Sequence, residues 1–75
     1  MNLNEQTINR LLLMLCAYKK YTLTMIKGHN KENDYIYTKY ILYLNGVEDY
    51  YTYSKRSIIV YMSDELDSYG KEPRA

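Results

Sequence analysis

Two periodicities divide the chain. Near the start, Ile8, Leu11, Leu12, Leu15 and Tyr18 follow the i, i+3, i+4, i+7 spacing that gathers side chains on one helix face. Asn2 or Asn4 is available as a cap, and Glu5 lies where its charge suits the helix dipole. The pattern predicts a helix over 4–20. Leu13, Met14 and Ala17 fall on the other side of that helix. A helix apolar on two sides calls for two partners, the rest of the domain and a second surface.

From Tyr21 onward the period becomes two, and the residue types become the Tyr, Thr, Ile and Val that favour strands. A strand is predicted over 21–27, then a polar loop over 28–34, a second strand over 35–44 and a third over 47–54. Asn45-Gly46 separates the last two. This pair is the strongest short-range hairpin signal, because both residues tolerate the positive φ of a type I′ turn. Lys55-Arg56 reads as another turn, and 58–62 as a short apolar strand. Ser63, the acids Asp64 and Glu65, and Gly70 suggest a cap, a first turn and a stop for one or two helical turns over 63–70. Residues 71–75, with Pro73, read as a flexible tail. The expected architecture is α+β: an N-terminal amphipathic helix packed on an antiparallel sheet of three to four strands, with a short C-terminal helical turn, in one domain over 1–70.

A two-residue turn at Asn45-Gly46 sets the expected cross-strand pairs. Leu44 faces Val47, Leu42 faces Asp49, Tyr40 faces Tyr51 and Thr38 faces Tyr53 on one side. The other side pairs Tyr43 with Glu48, Ile41 with Tyr50, Lys39 with Thr52 and Tyr37 with Ser54. Leu42, Leu44 and Val47 draw the first set toward the core, which leaves Tyr37, Tyr43 and Tyr50 outward. Both faces carry apolar residues, and a slip of one residue would exchange them.

Size narrows what such a fold can do. A chain of 75 residues buries only roughly 60% of its unfolded surface and draws about 3 to 5 kcal/mol from one core. The single cysteine, Cys16, excludes an internal disulfide, and His29 is the only other soft metal ligand, so self-association is the common remaining supplement. Ten basic and nine acidic residues give no overall preference for nucleic acid or a membrane surface. The longest apolar run, 11–18, is far short of the roughly 20 residues that span a bilayer. Only Arg10 precedes it, and no cleavage pattern follows, so it does not read as a secretory signal. A lone cysteine suits a reducing interior, and a cytoplasmic location is expected.

No catalytic constellation is legible. Cys16 falls within the apolar helix run, where a thiol is usually inert packing, and His29 falls in the polar loop. Gly28, Gly46 and Gly70 are isolated, which excludes a phosphate-cradling loop. Glu48 and Asp49 are strand neighbours that point to opposite faces, while Asp64, Glu65 and Asp67 lack the spaced ligands of a calcium loop. The chain is expected to be no enzyme and to need no cofactor or metal.

The aromatic content points to recognition. Eleven tyrosines occur with no Phe or Trp, and seven of them lie between Tyr35 and Tyr53. Seven rings in that span exceed what the inner face of one hairpin can bury. Tyr offers large contact area, few rotatable bonds and a polar tip, which is why binding surfaces are enriched in it. The expected partner-binding residues are Tyr35, Tyr37, Tyr43, Tyr50, Lys39 and Glu48, and the expected dimer interface is Leu13, Met14 and Ala17. In composition the chain resembles accessory proteins of phages and other mobile elements, many of which block host replication, transcription or defence proteins. A non-enzymatic protein-binding module acting on a larger host protein, as a homodimer, is the first expectation. A single-stranded nucleic-acid-binding protein using sheet tyrosines and flanking lysines is the second.

Overall fold

A computed structural model describes residues 5–71 of the chain. The order is α1 (Glu5–Cys16), β1 (Tyr21–Asn30), β2 (Tyr35–Leu44), β3 (Val47–Thr52) and α2 (Lys55–Lys71). The strands form one antiparallel sheet in the order β1-β2-β3, so the fold is α+β with an N-terminal helix, a three-stranded sheet and a C-terminal helix.

α1 carries the expected stripe. Ile8 and Leu15 are buried, with Leu11 and Leu12 packed against the same cluster, while Leu13 and Met14 are exposed. The helix stops at Cys16, four residues before the predicted end. Its last carbonyls are closed by a tight turn in which the Tyr18 and Lys19 amides both donate to the Leu15 carbonyl. Tyr18 therefore lies beyond the helix, and the predicted caps Asn2 and Asn4 lie outside the described residues.

α2 overturns the reading of the C-terminal third. The predicted turn at Lys55-Arg56, strand over 58–62 and short helical segment over 63–70 are one 17-residue helix. Its start is set by Ser54, whose hydroxyl accepts from the Ser57 amide at 3.2 Å and whose own amide donates to Thr52 Oγ1 at 3.1 Å. Ile58, Ile59 and Met62 are buried, and Leu66 and Tyr69 pack against them. That spacing is helical, and burying three large side chains contributes about 1.5–3 kcal/mol each, which outweighs the strand preference of an Ile-Ile-Val run. Gly70 lies inside the last turn rather than beyond it. Of the expected tail, Lys71 closes the helix and 72–75 lie outside the described residues.

Both helices cover one face of the sheet. Ile8 and Leu15 from α1 and Ile58, Ile59 and Met62 from α2 form a single cluster with Tyr21, Tyr40 and Leu42. The register places these sheet residues on one side, because Tyr21 pairs with Leu44, Leu23 with Leu42 and Met25 with Tyr40. No residue from Met25 to Lys39 belongs to this cluster or packs against it. The far half of the β1–β2 hairpin thus projects past the helices, in keeping with a radius of gyration of 14.0 Å against the roughly 11 Å of a compact chain this long.

β1 is three residues longer than its predicted 21–27, because Gly28, His29 and Asn30 pair with Tyr37, Ile36 and Tyr35. A side chain at Gly28 would overlap the Tyr37 ring, so glycine lets that ring lie against the neighbouring backbone. The hairpin then closes through a four-residue turn. There Asn30 Oδ1 accepts from the Glu32 amide, and Asp34 adopts φ 50°. Asn45-Gly46 forms the second turn with φ 54° and 83°, as the type I′ geometry requires.

Candidate functional site

The distribution of tyrosines over the two sheet faces depends on one residue. Leu44 pairs with Val47 and Tyr43 with Glu48, as expected, but Leu42 then pairs with Tyr50, Ile41 with Tyr51 and Tyr40 with Thr52. Asp49 is an extra residue, and the β-bulge it makes shifts the rest of β3 by one. Every side chain beyond it changes face. Tyr50, expected outward, turns to the helix side, while Tyr51 and Tyr53, expected toward the core, face outward. Tyr40 stays inside, 5% exposed.

The helix-side tyrosines are bound into the fold. Tyr50 stacks on Tyr61 of α2 with centroids 4.1 Å apart and planes 3° apart, and the Tyr61 hydroxyl donates to Asp49 Oδ2 at 2.7 Å. The bulge thus directs two consecutive residues, Asp49 and Tyr50, at one α2 side chain. At the other side of the domain Tyr21 donates to Glu65 Oε2 at 3.2 Å, and its hydroxyl lies 2.6 Å from that of Tyr69. Tyr69 in turn stacks on Tyr18 at 4.8 Å and has Lys19 Nζ over its ring. Burial, then these neighbours, push Tyr21 far above the ordinary tyrosine pKa, and burial, then Asp49, does the same to Tyr61.

The opposite face has no helix over it. By register it presents Thr22, Thr24, Ile26, Gly28 and Asn30 from β1, Tyr35, Tyr37, Lys39, Ile41 and Tyr43 from β2, and Glu48 and Tyr51 from β3, with Tyr53 just beyond. Four of its tyrosines form a chain of ring contacts. Tyr35 and Tyr37 are near-parallel at 6.5 Å, Tyr37 and Tyr53 are edge-on at 5.8 Å, and Tyr53 and Tyr51 are edge-on at 6.3 Å. Lys39 sets its ammonium over Tyr51 at 4.6 Å and over Tyr53 at 5.9 Å. Ile41, paired with Thr24 and Tyr51, is the one buried residue on this face. Asn30, Tyr35, Tyr37 and Tyr53 line an open pocket of about 340 Å³.

The sequence-predicted site is therefore brought together in part. Tyr35, Tyr37, Tyr43, Lys39 and Glu48 share the open face, with Tyr43 half-buried and Tyr35 the more open of the two at 59% exposure. Tyr50 does not belong, and Tyr51 and Tyr53 take its place. Leu13, Met14 and Ala17 are exposed on and just after α1, remote from the sheet's open face. Cys16, expected as packing, is exposed, and its thiol donates to the Tyr21 carbonyl at 3.2 Å. His29 is a strand residue rather than a loop residue, 2.9 Å from Asp34 Oδ1. Among the described residues no three His, Cys, Asp or Glu side chains are grouped to hold a metal ion, and no helix is long and apolar enough to cross a membrane.

No protein-family model, curated protein or solved structure matches the chain.

Proposed function

We propose that this chain is a non-enzymatic protein-binding module that uses the open face of its sheet to occupy a surface of a larger protein, in the manner of the accessory proteins its composition resembles. The observation that supports this reading is the character of that face. Tyr35, Tyr37, Tyr51 and Tyr53 are in mutual contact, three of them are more than half exposed, and the face carries one positive and one negative residue, Lys39 and Glu48. Rigid aromatic rings with polar tips, few charges and a surrounding of Thr and Asn suit a protein partner.

Stacking on unpaired bases is the second reading, favoured by the exposed rings. It is the weaker one because phosphate tracking needs several cations beside the rings, and here Lys39 is already held over Tyr51 and Tyr53. Affinity capture from nuclease-treated cell extract, comparing the native chain with a Tyr35→Ala/Tyr51→Ala/Tyr53→Ala variant, tests the proposal. The native chain should retain a specific protein that the variant loses. Equal capture by both, or salt-sensitive binding to a mixed single-stranded oligonucleotide instead, would refute it.

A further inference from the structure

We propose that the free edge of β1 pairs with the β1 edge of a second copy of this chain, antiparallel about a two-fold axis near Ile26. This would join two three-stranded sheets into one continuous sheet. The inference rests on the contrast between the sheet's two edges and does not depend on the function of the tyrosine face.

Native proteins protect edge strands by keeping them short, bulging them, charging them or covering them. β3 has all four of these protections: it is six residues long, it is bulged at Asp49, it carries the charges of Glu48 and Asp49, and α2 packs against it through Tyr61. β1 has almost none. It runs ten residues, against a typical strand of about 5–6. It pairs with β2 without a register break, has no proline and carries one full charge, Lys27. Thr24, Met25, Ile26 and Lys27 are exposed in succession, so neither face of this stretch is covered, although Met25 and Ile26 are large and apolar.

The pattern on β1 is compatible with its own copy. Two edge strands related by a two-fold axis normal to the sheet keep the same face upward, so residues that meet must share a face and the axis must pass between one residue and its own copy. With the axis at Ile26, Ile26 meets Ile26 of the second copy and Thr24 meets Gly28 on the open face. On the other face Met25 meets Lys27 and Leu23 meets His29. The strand's single full charge then opposes an unbranched apolar side chain whose flexibility lets the ammonium reach water. An axis at Lys27 would set two ammonium groups opposite each other, which is disfavoured. Pairing in this way places the tyrosine faces of the two copies on the same side, with the four helices on the other.

Sedimentation velocity over a concentration series tests this, with hydrogen exchange of the β1 amides read at the same concentrations. The native chain should populate a dimer, and protection of the amides over 23–29 should rise with it. Ile26→Lys, at an exposed side chain, should leave the circular dichroism spectrum intact and weaken the dimer roughly tenfold or more. Leu13→Glu, on the exposed side of α1, should leave the dimer as it is. A monomer at the highest concentration would overturn the proposal, as would a dimer that survives Ile26→Lys or dissociates on Leu13→Glu.

Discussion

The tyrosines of the two sheet faces are chemically identical and differ in what surrounds them. On the helix side Tyr21 is 4% exposed, its hydroxyl is shared between Glu65 and Tyr69, and Tyr50 lies flat on Tyr61. On the open side Tyr35 and Tyr53 touch Tyr37, Tyr51 touches Tyr53, Lys39 lies over Tyr51 and Tyr53, and water reaches more than half of Tyr35, Tyr51 and Tyr53. The first group uses both properties of tyrosine inward, with the ring filling volume and the hydroxyl linking α2 to the sheet. The second leaves both properties unspent. A residue type chosen for packing alone would be Phe on the inside, yet the chain has none. Here the Tyr21 and Tyr61 hydroxyls have partners, so burial of those polar atoms is not penalised.

Substitutions should separate the two groups. Tyr21→Ala removes a buried ring and leaves Glu65 and Tyr69 without their shared partner. A loss of about 3–5 kcal/mol is expected, comparable to the whole stability of a domain this small, so far-ultraviolet circular dichroism should show no cooperative unfolding transition. Retention of a native-like transition would mean that the Tyr21 cluster is not what ties α2 to β1.

Alkaline pH should test the helix-side group without mutation. Tyr21 and Tyr61 are both raised above the ordinary value of 10.0 in the folded chain. The native state therefore keeps protons that the unfolded chain releases. Their contribution to stability is fully present below pH 10 and is lost as pH climbs beyond it. A spectrophotometric titration followed alongside circular dichroism should show ionisation of Tyr21 and Tyr61 coinciding with loss of structure above pH 10. Ionisation of Tyr21 and Tyr61 with no structural change would contradict this.

The smallest effect belongs to the open face. Tyr35→Ala should change the unfolding free energy by no more than about 0.5 kcal/mol, as exposed positions generally do, measured by urea unfolding. A loss several times larger would show that the outer ring chain also holds the fold together.

Much of this arrangement was legible in the sequence, and what escaped did so for local reasons. The helix stripe at Ile8, Leu11, Leu12 and Leu15 and the Asn45-Gly46 turn each combine a periodic or conformational signal with a matching structural demand, and both appear where expected. α2 was hidden because Ile58-Ile59-Val60 favours a strand by residue type and because Lys55 and Arg56 put positive charge where a helix dipole disfavours it. The Ser54 cap, three residues ahead of Ser57, and the recurrence of Ile58, Met62 and Leu66 every fourth residue were the available signals. The faces of β3 were hidden because a bulge has no fixed sequence signature. Asp49 resembles any polar strand residue, and only its hydrogen bond with Tyr61, twelve residues along, shows why the extra residue is accommodated.

Mass-spectrometric mapping of tyrosine nitration, in the free chain and in the complex recovered by affinity capture, tests the division of labour between the two faces most directly. Tyr35, Tyr51 and Tyr53 should be modified in the free chain and shielded in the complex, with Tyr21 and Tyr40 protected in both. Outer rings that react equally in the two states, or a buried Tyr21 that reacts as readily as Tyr35, would contradict the account.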